Sequence, residues 1–125
     1  MGFGKTLSGY RKRYGIRQDH FAERVHINRS HLNQIEKEKV SPPKLETVLL
    51  MIDVLNLNGD ETVDLLIALL HDAGRLSDAQ GILALANEGK LDERLKALEK
   101  IVRAFETLQA QLKTLQITDQ QEILV

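Results

Sequence analysis

The side chains best suited to chemistry in this sequence crowd into one short stretch, Arg29-Ser30-His31-Leu32-Asn33-Gln34-Ile35-Glu36-Lys37. Its apolar residues, Leu32 and Ile35, stand three apart and share one face of a helix, so Arg29, Ser30, Asn33 and Gln34 face away from the core. What these side chains offer is hydrogen bonding to flat, patterned edges. An arginine can donate two parallel hydrogen bonds to O6 and N7 of guanine, and a glutamine can pair at two points with adenine. Catalysis has no comparable constellation. The four histidines, His20, His26, His31 and His71, do not stand at H-E-x-x-H or similar spacing, so no zinc site is expected. With no cysteine in the chain, disulfides, thiolate metal sites and a cysteine nucleophile are excluded. Neither G-x-x-x-x-G-K-[ST] nor G-x-S-x-G occurs. The sequence reads as non-enzymatic, with no cofactor and no metal.

The elements that must hold this stretch are helical. The only prolines are the pair Pro42-Pro43, and no alternating run long enough for a strand appears. A first helix is expected over about residues 4–14, with Leu7, Tyr10 and Tyr14 on one face and Gly15 ending it. A second covers 18–25, turning Phe21, Ala22 and Val25 inward. Asn28 is a suitable N-cap for a third helix from Arg29 to about Lys37. Ser41-Pro42-Pro43 feeds a fourth helix whose buried stripe is Leu45, Val48, Leu49, Ile52 and Leu55. Asp60 is expected to cap a fifth helix running to about Ala73. That helix is apolar on two faces, with Val63, Leu66, Ile67 and Leu70 on one and Leu65 and Leu69 on the other, so it needs partners on both. Ser77-Asp78-Ala79-Gln80 has the form of a capping box that starts a sixth helix to about Ala86.

Charge divides the chain. Residues 1–44 hold ten Lys/Arg against four Asp/Glu, whereas residues 45–125 hold seven against fourteen, which the overall charge of −1 conceals. Such asymmetry suits a segment that faces a polyanion joined to one that faces solvent or a protein. No run of about 18 apolar residues exists to span a bilayer, and the first residues lack an apolar signal core. The chain is therefore expected to be soluble and cytoplasmic, with no membrane partner.

Taken together, Leu7-Ser8-Gly9-Tyr10-Arg11-Lys12-Arg13-Tyr14-Gly15-Ile16-Arg17-Gln18, Phe21-Ala22-Glu23-Arg24, Asn28 through Lys37, Pro42/Pro43 and Leu45-Glu46-Thr47-Val48 resemble the Cro/phage-repressor (Xre) family of helix-turn-helix transcriptional regulators. The resemblance covers about half the chain. It implies an all-α protein, with a five-helix Cro/repressor-like DNA-binding domain over residues 1–73. It also implies that the third helix lies in the major groove of double-stranded DNA. By position, Arg29, Ser30 and Gln34 are implied as base readers, with His31 and Asn33 beside them. Arg11, Arg17, Gln18, Asn28, Lys37 and Lys39 are implied as phosphate contacts. Gln18 is implied to aim its amide at the strand from the start of the second helix, and Arg11 and Glu36 to pair across the first and third helices. In two places the sequence departs from the family: His26 in the motif's turn and Glu38 after the third helix stand where glycine is common.

Residues 74–125 are expected to form a helical dimerisation segment dominated by one long helix over about 91–116. Leu91, Leu95, Leu98, Val102 and Phe105 follow a 4,3,4,3 spacing, and Ile101, Phe105, Leu108, Leu112 and Leu115 repeat it one face over. The register slips once, at Phe105–Leu108. This is enough seam for a coiled-coil-like or antiparallel pairing of two copies, the alternative being that the helix packs back on its own chain. The expected dimer interface is Leu65, Leu69, Leu91, Leu95, Leu98, Val102, Phe105, Leu108 and Leu112. The expected function is a repressor that binds an inverted-repeat operator as a homodimer. The alternative is an antitoxin-type module whose C-terminal helices hold a second protein.

Overall fold

The computed structural model describes residues 2–87 and 102–114, and among these every regular element is a helix. In chain order they are α1 (Phe3–Arg13), α2 (Gln18–Arg24), α3 (Arg29–Glu36), α4 (Leu45–Leu55), α5 (Gly59–Ala73) and α6 (Leu76–Asn87), followed by α7 (102–114). The chain divides into two compact units, Met1–Asp78 and Ala79–Val125.

The first unit is built around α1, which packs against α3 and α5, while α2 packs against α3. Phe3, Leu7, Phe21, Leu32, Val48 and Met51 are all essentially removed from solvent. Such a core is mostly aliphatic, so its stability depends on close packing rather than on a few large rings. Met51 is buried where the apolar stripe predicts Leu49, which is only half-buried, as is Leu45. The buried face of α4 is thus rotated slightly from the one its leucines suggest. Side-chain contacts join α1 and its C-cap to α5, among them a bond from Arg13 to Glu61 at 3.2 Å. The Tyr10 hydroxyl donates to Asp64 at 2.9 Å, and the Tyr14 hydroxyl donates to Glu61 at 2.6 Å. Burial and the neighbouring Asp64 push the Tyr10 phenol up to about 12. The bond from Tyr14 holds the Glu61 carboxyl below the usual carboxylate range. Both phenols therefore remain donors at neutral pH.

Glu61 belongs to the true start of α5. Asn58, not Asp60, is the N-cap: its side chain accepts from Glu61 N–H at 2.9 Å, and Glu61 accepts from Asn58 N–H at 3.1 Å, a complete capping box. The expected box at Ser77 does not form at a helix start, because α6 already begins at Leu76 and Ser77 sits inside its first turn. Arg75 occupies the junction instead. Its guanidinium bonds Asp78 at 2.7 Å and the carbonyls of Pro42 and Pro43 at 3.1 and 2.7 Å, tying the loop before α4 to the end of α5.

Four helix ends in this unit share one geometry. After α1, α2, α3 and α4 the chain enters the left-handed region at Gly15, His26, Glu38 and Asn56, with φ of 68°, 61°, 60° and 51°. At each, the following N–H reaches five residues back, as in Ile27 to the Ala22 carbonyl at 3.0 Å and Lys39 to the Gln34 carbonyl at 2.9 Å. This is the Schellman closure, which favours glycine because a Cβ crowds the next carbonyl there. The two places where the family commonly has glycine are therefore positions of positive φ in this chain too. The strain is not equally removable. Glu38 accepts from Lys5 N–H at 3.1 Å and so helps cap α1, whereas exposed His26 makes no side-chain hydrogen bond among the described residues. His26→Gly is expected to raise the stability of the folded chain by about 1 kcal/mol, visible as a higher Tm. Glu38→Gly should give a smaller gain or none, and equal gains in the two variants would refute the capping role of Glu38.

Part of the expected dimer seam is corrected. Leu65 and Leu69 are 0 % exposed within a single chain, so they are core side chains with no surface to offer a second copy. Both apolar faces of α5 are thus largely satisfied internally, leaving Ile67 outward. In the second unit Val102 is likewise buried, which removes it from any seam, and Phe105 is half-buried. Leu108 and Leu112 are 54 % and 51 % exposed, four residues apart on α7. Leu91, Leu95, Leu98, Ile101 and Leu115 lie outside the described residues.

Candidate nucleic-acid interface

α3 is short, and its pose depends on what grips it. Asn28 caps it, accepting from His31 N–H at 2.7 Å through its side-chain oxygen. Leu32 and Ile35 are 0 % and 2 % exposed, and Ala22 on α2 is 2 % exposed, small enough to let the two helices approach. Glu36 is the third anchor. It is buried and takes a two-point grip from Arg11, with Nε and Nη2 at 2.7 and 2.8 Å. Arg11 also reaches the Ile16 carbonyl at 2.9 Å through Nη1. A paired guanidinium and carboxylate with matched planes is the strongest polar contact available to hold a helix in place.

With that face fixed, Arg29, Ser30, His31 and Gln34 all stand exposed. None of them is paired with a carboxylate or amide side chain among the described residues, so their donors and acceptors are open to a ligand. Asn33 differs. It is half-buried, and its oxygen accepts from the Gln18 amide at 3.3 Å. The same Gln18 nitrogen donates to Glu36 at 3.2 Å. A carboxylate can only accept, so Gln18 must turn its NH2 group inward. Both Gln18 hydrogens are then used within the protein, and its side-chain amide has no donor left for a phosphate. The expectation that this amide aims at a strand is corrected: the side chain braces α2 against α3.

The other expected phosphate contacts divide similarly. Arg11 is 8 % exposed and each guanidinium nitrogen already bonds inside the protein, so it anchors α3 and does not face a ligand. Arg17 is exposed but bonded to Asp19 at 2.6 Å, and that contact holds the Asp19 carboxyl below its ordinary value. Such an exposed pair is weak and can open. Asn28 spends its oxygen on the cap, which leaves the amide NH2 free. Lys37 and Lys39 are exposed and unpaired among the described residues. Lys37 and Asn33 follow Arg29 at four-residue steps, forming one stripe down α3. Sequence reasoning missed the bond between Gln18 and Asn33, residues 15 apart; the only legible hint was that Gln18 and Glu36 both belong to the recognisable pattern.

An outward row of base-compatible side chains on a helix clamped by its neighbours suits insertion into a groove wide enough for a helix. Comparison with known proteins agrees with this geometry. Residues 7–61 match the family model described as Helix-turn-helix. Neither the curated proteins nor the solved structures give a match. The matched segment runs from the middle of α1 to the capping box of α5, and within it lie α2, α3 and every exposed residue of α3 discussed above. The N-terminal part of this chain is therefore a helix-turn-helix domain of the Cro/C1 type, the Xre-like family of DNA-binding regulators.

Proposed function

We propose that this protein is a sequence-specific repressor that binds an inverted-repeat operator as a homodimer, with α3 in the major groove of each half-site. The observation that carries the reading is the division of α3 itself. Leu32, Ile35 and Glu36 are buried and fix its pose, while Arg29, Ser30 and Gln34 are exposed. Arg29 then reads guanine through its two-point fork and Gln34 reads adenine, with Ser30 and His31 beside them. Lys37 and Lys39 contact phosphates, joined by Arg17 once its pair with Asp19 opens, and by the free amide of Asn28.

Dimerisation is supported by Leu108 and Leu112, two large apolar side chains left exposed one turn apart on α7. Two copies joined there present two α3 helices to half-sites about one helical turn, roughly 34 Å, apart. Repression follows from occupancy alone, since a bound dimer covers a promoter without needing any further surface. No helix among the described residues is long and apolar enough to cross a membrane.

The test is selection of bound sequences from a random DNA pool, followed by titration of the selected duplex with variants. Arg29→Ala and Gln34→Ala should each cost about 1–3 kcal/mol of affinity and relax the preference at one base position per half-site. If both variants keep full affinity and the full preference, α3 is not the reading element. Leu108→Glu with Leu112→Glu should shift the protein to monomer in sedimentation and weaken binding to the palindrome far more than to a half-site. A monomeric wild-type protein would remove the dimer from the proposal.

A further inference from the structure

A cleft of about 620 Å³ opens between α1 and α3, and its walls carry three ammonium groups, those of Lys5, Lys12 and Lys37. Lys5, Ser8 and Lys12 follow one another at i, i+3 and i+7 and so line a single face of α1. None of the three lysines is paired with a carboxylate among the described residues. The floor adds no opposing charge, because Glu36 is neutralised by Arg11 at 2.7 Å. Gly9 also lines the cleft, and a Cβ there would meet nothing within 4 Å, so the space is open.

Asn33 completes the wall, and its polarity is set by its neighbours. Glu36 forces the Gln18 NH2 inward, Gln18 donates its second hydrogen to the Asn33 oxygen, and the Asn33 amide is left with its NH2 group as the unused end. Three ammoniums, a hydroxyl able to donate and an amide NH2 therefore surround a space whose only carboxylate is already paired. A site offering donors and positive charge fits a ligand that only accepts and is anionic. The cleft continues the stripe Arg29, Asn33, Lys37 along α3, so a strand lying beside that helix passes its mouth.

We infer that this cleft receives a phosphodiester group of the DNA backbone, held by Lys5, Ser8, Lys12, Asn33 and Lys37. The inference rests on the reading that α3 enters the groove, and it brings α1 into the interface as a backbone clamp. It also separates Asn33 from its neighbours on α3: this side chain positions the protein on the strand and contributes no base preference.

Binding of the full chain to its selected duplex and to a scrambled duplex, measured across a series of salt concentrations, tests it. The double variant Lys5→Gln/Lys12→Gln should lose the same factor of affinity on both duplexes. Its slope of log K against log salt should flatten by about 0.9 per lysine. Asn33→Ala should weaken both duplexes alike and leave the selected sequence unchanged. Ethylation of single phosphates should reveal one position per half-site that weakens the wild type and not the double variant. An unchanged slope and ethylation pattern in the double variant, or an altered base preference in Asn33→Ala, overturns the inference. Loss of preference in Arg29→Ala alongside those negative results leaves the groove reading standing. A wild type with no preference for any sequence defeats the groove reading instead, and the slope measured on scrambled duplex still reports on the cleft.

Discussion

Arg11→Met is expected to lower the unfolding free energy by about 3–5 kcal/mol, the range for removing one partner of a buried ion pair. The side chains of Arg11 and Glu36 are 10 % and 5 % exposed, so water cannot replace what is lost. In the variant the Glu36 carboxylate stays buried with only the Gln18 amide as a donor, at 3.2 Å. A domain of this size has a total stability of about 5–15 kcal/mol, so the loss is a large share of it. Removing both charges together behaves differently. Arg11→Met with Glu36→Leu leaves no orphaned charge, and most of the loss should be recovered, as apolar replacement of buried pairs often is neutral or better. Urea denaturation followed by circular dichroism measures both. A single variant within 1 kcal/mol of wild type would show that the pair is not an anchor. The double variant carries a functional corollary, because Gln18 loses one acceptor and no longer has a fixed orientation. Asn33 is then released, and DNA affinity should fall even where stability is restored.

Gly4→Ala is the second large effect, and it acts on the same helix pair from the other end. A Cβ at Gly4 would run into the carbonyl oxygen of Ile35 and lie 2.9 Å from that of Glu36. These are backbone atoms at the end of α3, so no rotamer change relieves the collision. α1 has to retreat, taking with it Phe3 and Leu7, which are 1 % and 0 % exposed. Overpacking costs typically about 1–3 kcal/mol, and an obstacle made of backbone places this case at the upper end, about 3 kcal/mol. Gly9→Ala, one and a half turns along the same helix, is the internal contrast. Its Cβ meets nothing within 4 Å, so the ordinary advantage of alanine in a helix applies, a gain of about 0.5–1 kcal/mol. Thermal denaturation of the two variants should move in opposite directions. Movement in the same direction would mean that helix propensity, and not the α1–α3 approach, governs position 4.

Both effects concern how α3 is held, and this was only partly legible in the sequence. The existence of α1 through α5 could be read because each carries a local signal: an apolar residue every three or four positions, a cap such as Asn28, and a break such as Gly15 or Pro42-Pro43. The ends were less legible where two capping candidates competed. Asn58 and Asp60 are both good N-caps, and the choice fell to Asn58 because Glu61 stands three residues beyond it and can return the bond. The buried faces were legible only as far as one helix determines its own stripe. Leu65 and Leu69 formed a second apolar face that suggested a second copy of the chain, yet the chain covers that face itself. Nothing local distinguishes a leucine that meets its own chain from one that meets another.

For the site, the residue types carried most of the information. Arg29, Ser30 and Gln34 were identifiable as outward because Leu32 and Ile35 fix which way a helix turns, although the same phase also placed Asn33 outward, which α2 half-buries. The positive φ at His26 and Glu38 was implied by the resemblance, since glycine, common in the family at both places, is the residue that closes a helix in the left-handed region without strain. What the tertiary structure alone decided is which polar groups remain free. Arg11 and Gln18 were both expected to face a ligand, but Glu36, 25 residues from Arg11 and 18 from Gln18, takes donors from both, and Gln18 spends its other hydrogen on Asn33. Hydrogen-bonding capacity is finite and is shared through space, whereas helical phase is set along the chain. The sequence therefore determined the helices, the outward face of α3 and the character of the chemistry. Only the packing of α1 and α2 against α3 decided that Gln18 turns its amide inward to brace α3, and that Arg11 has no nitrogen left beyond Glu36 and the Ile16 carbonyl.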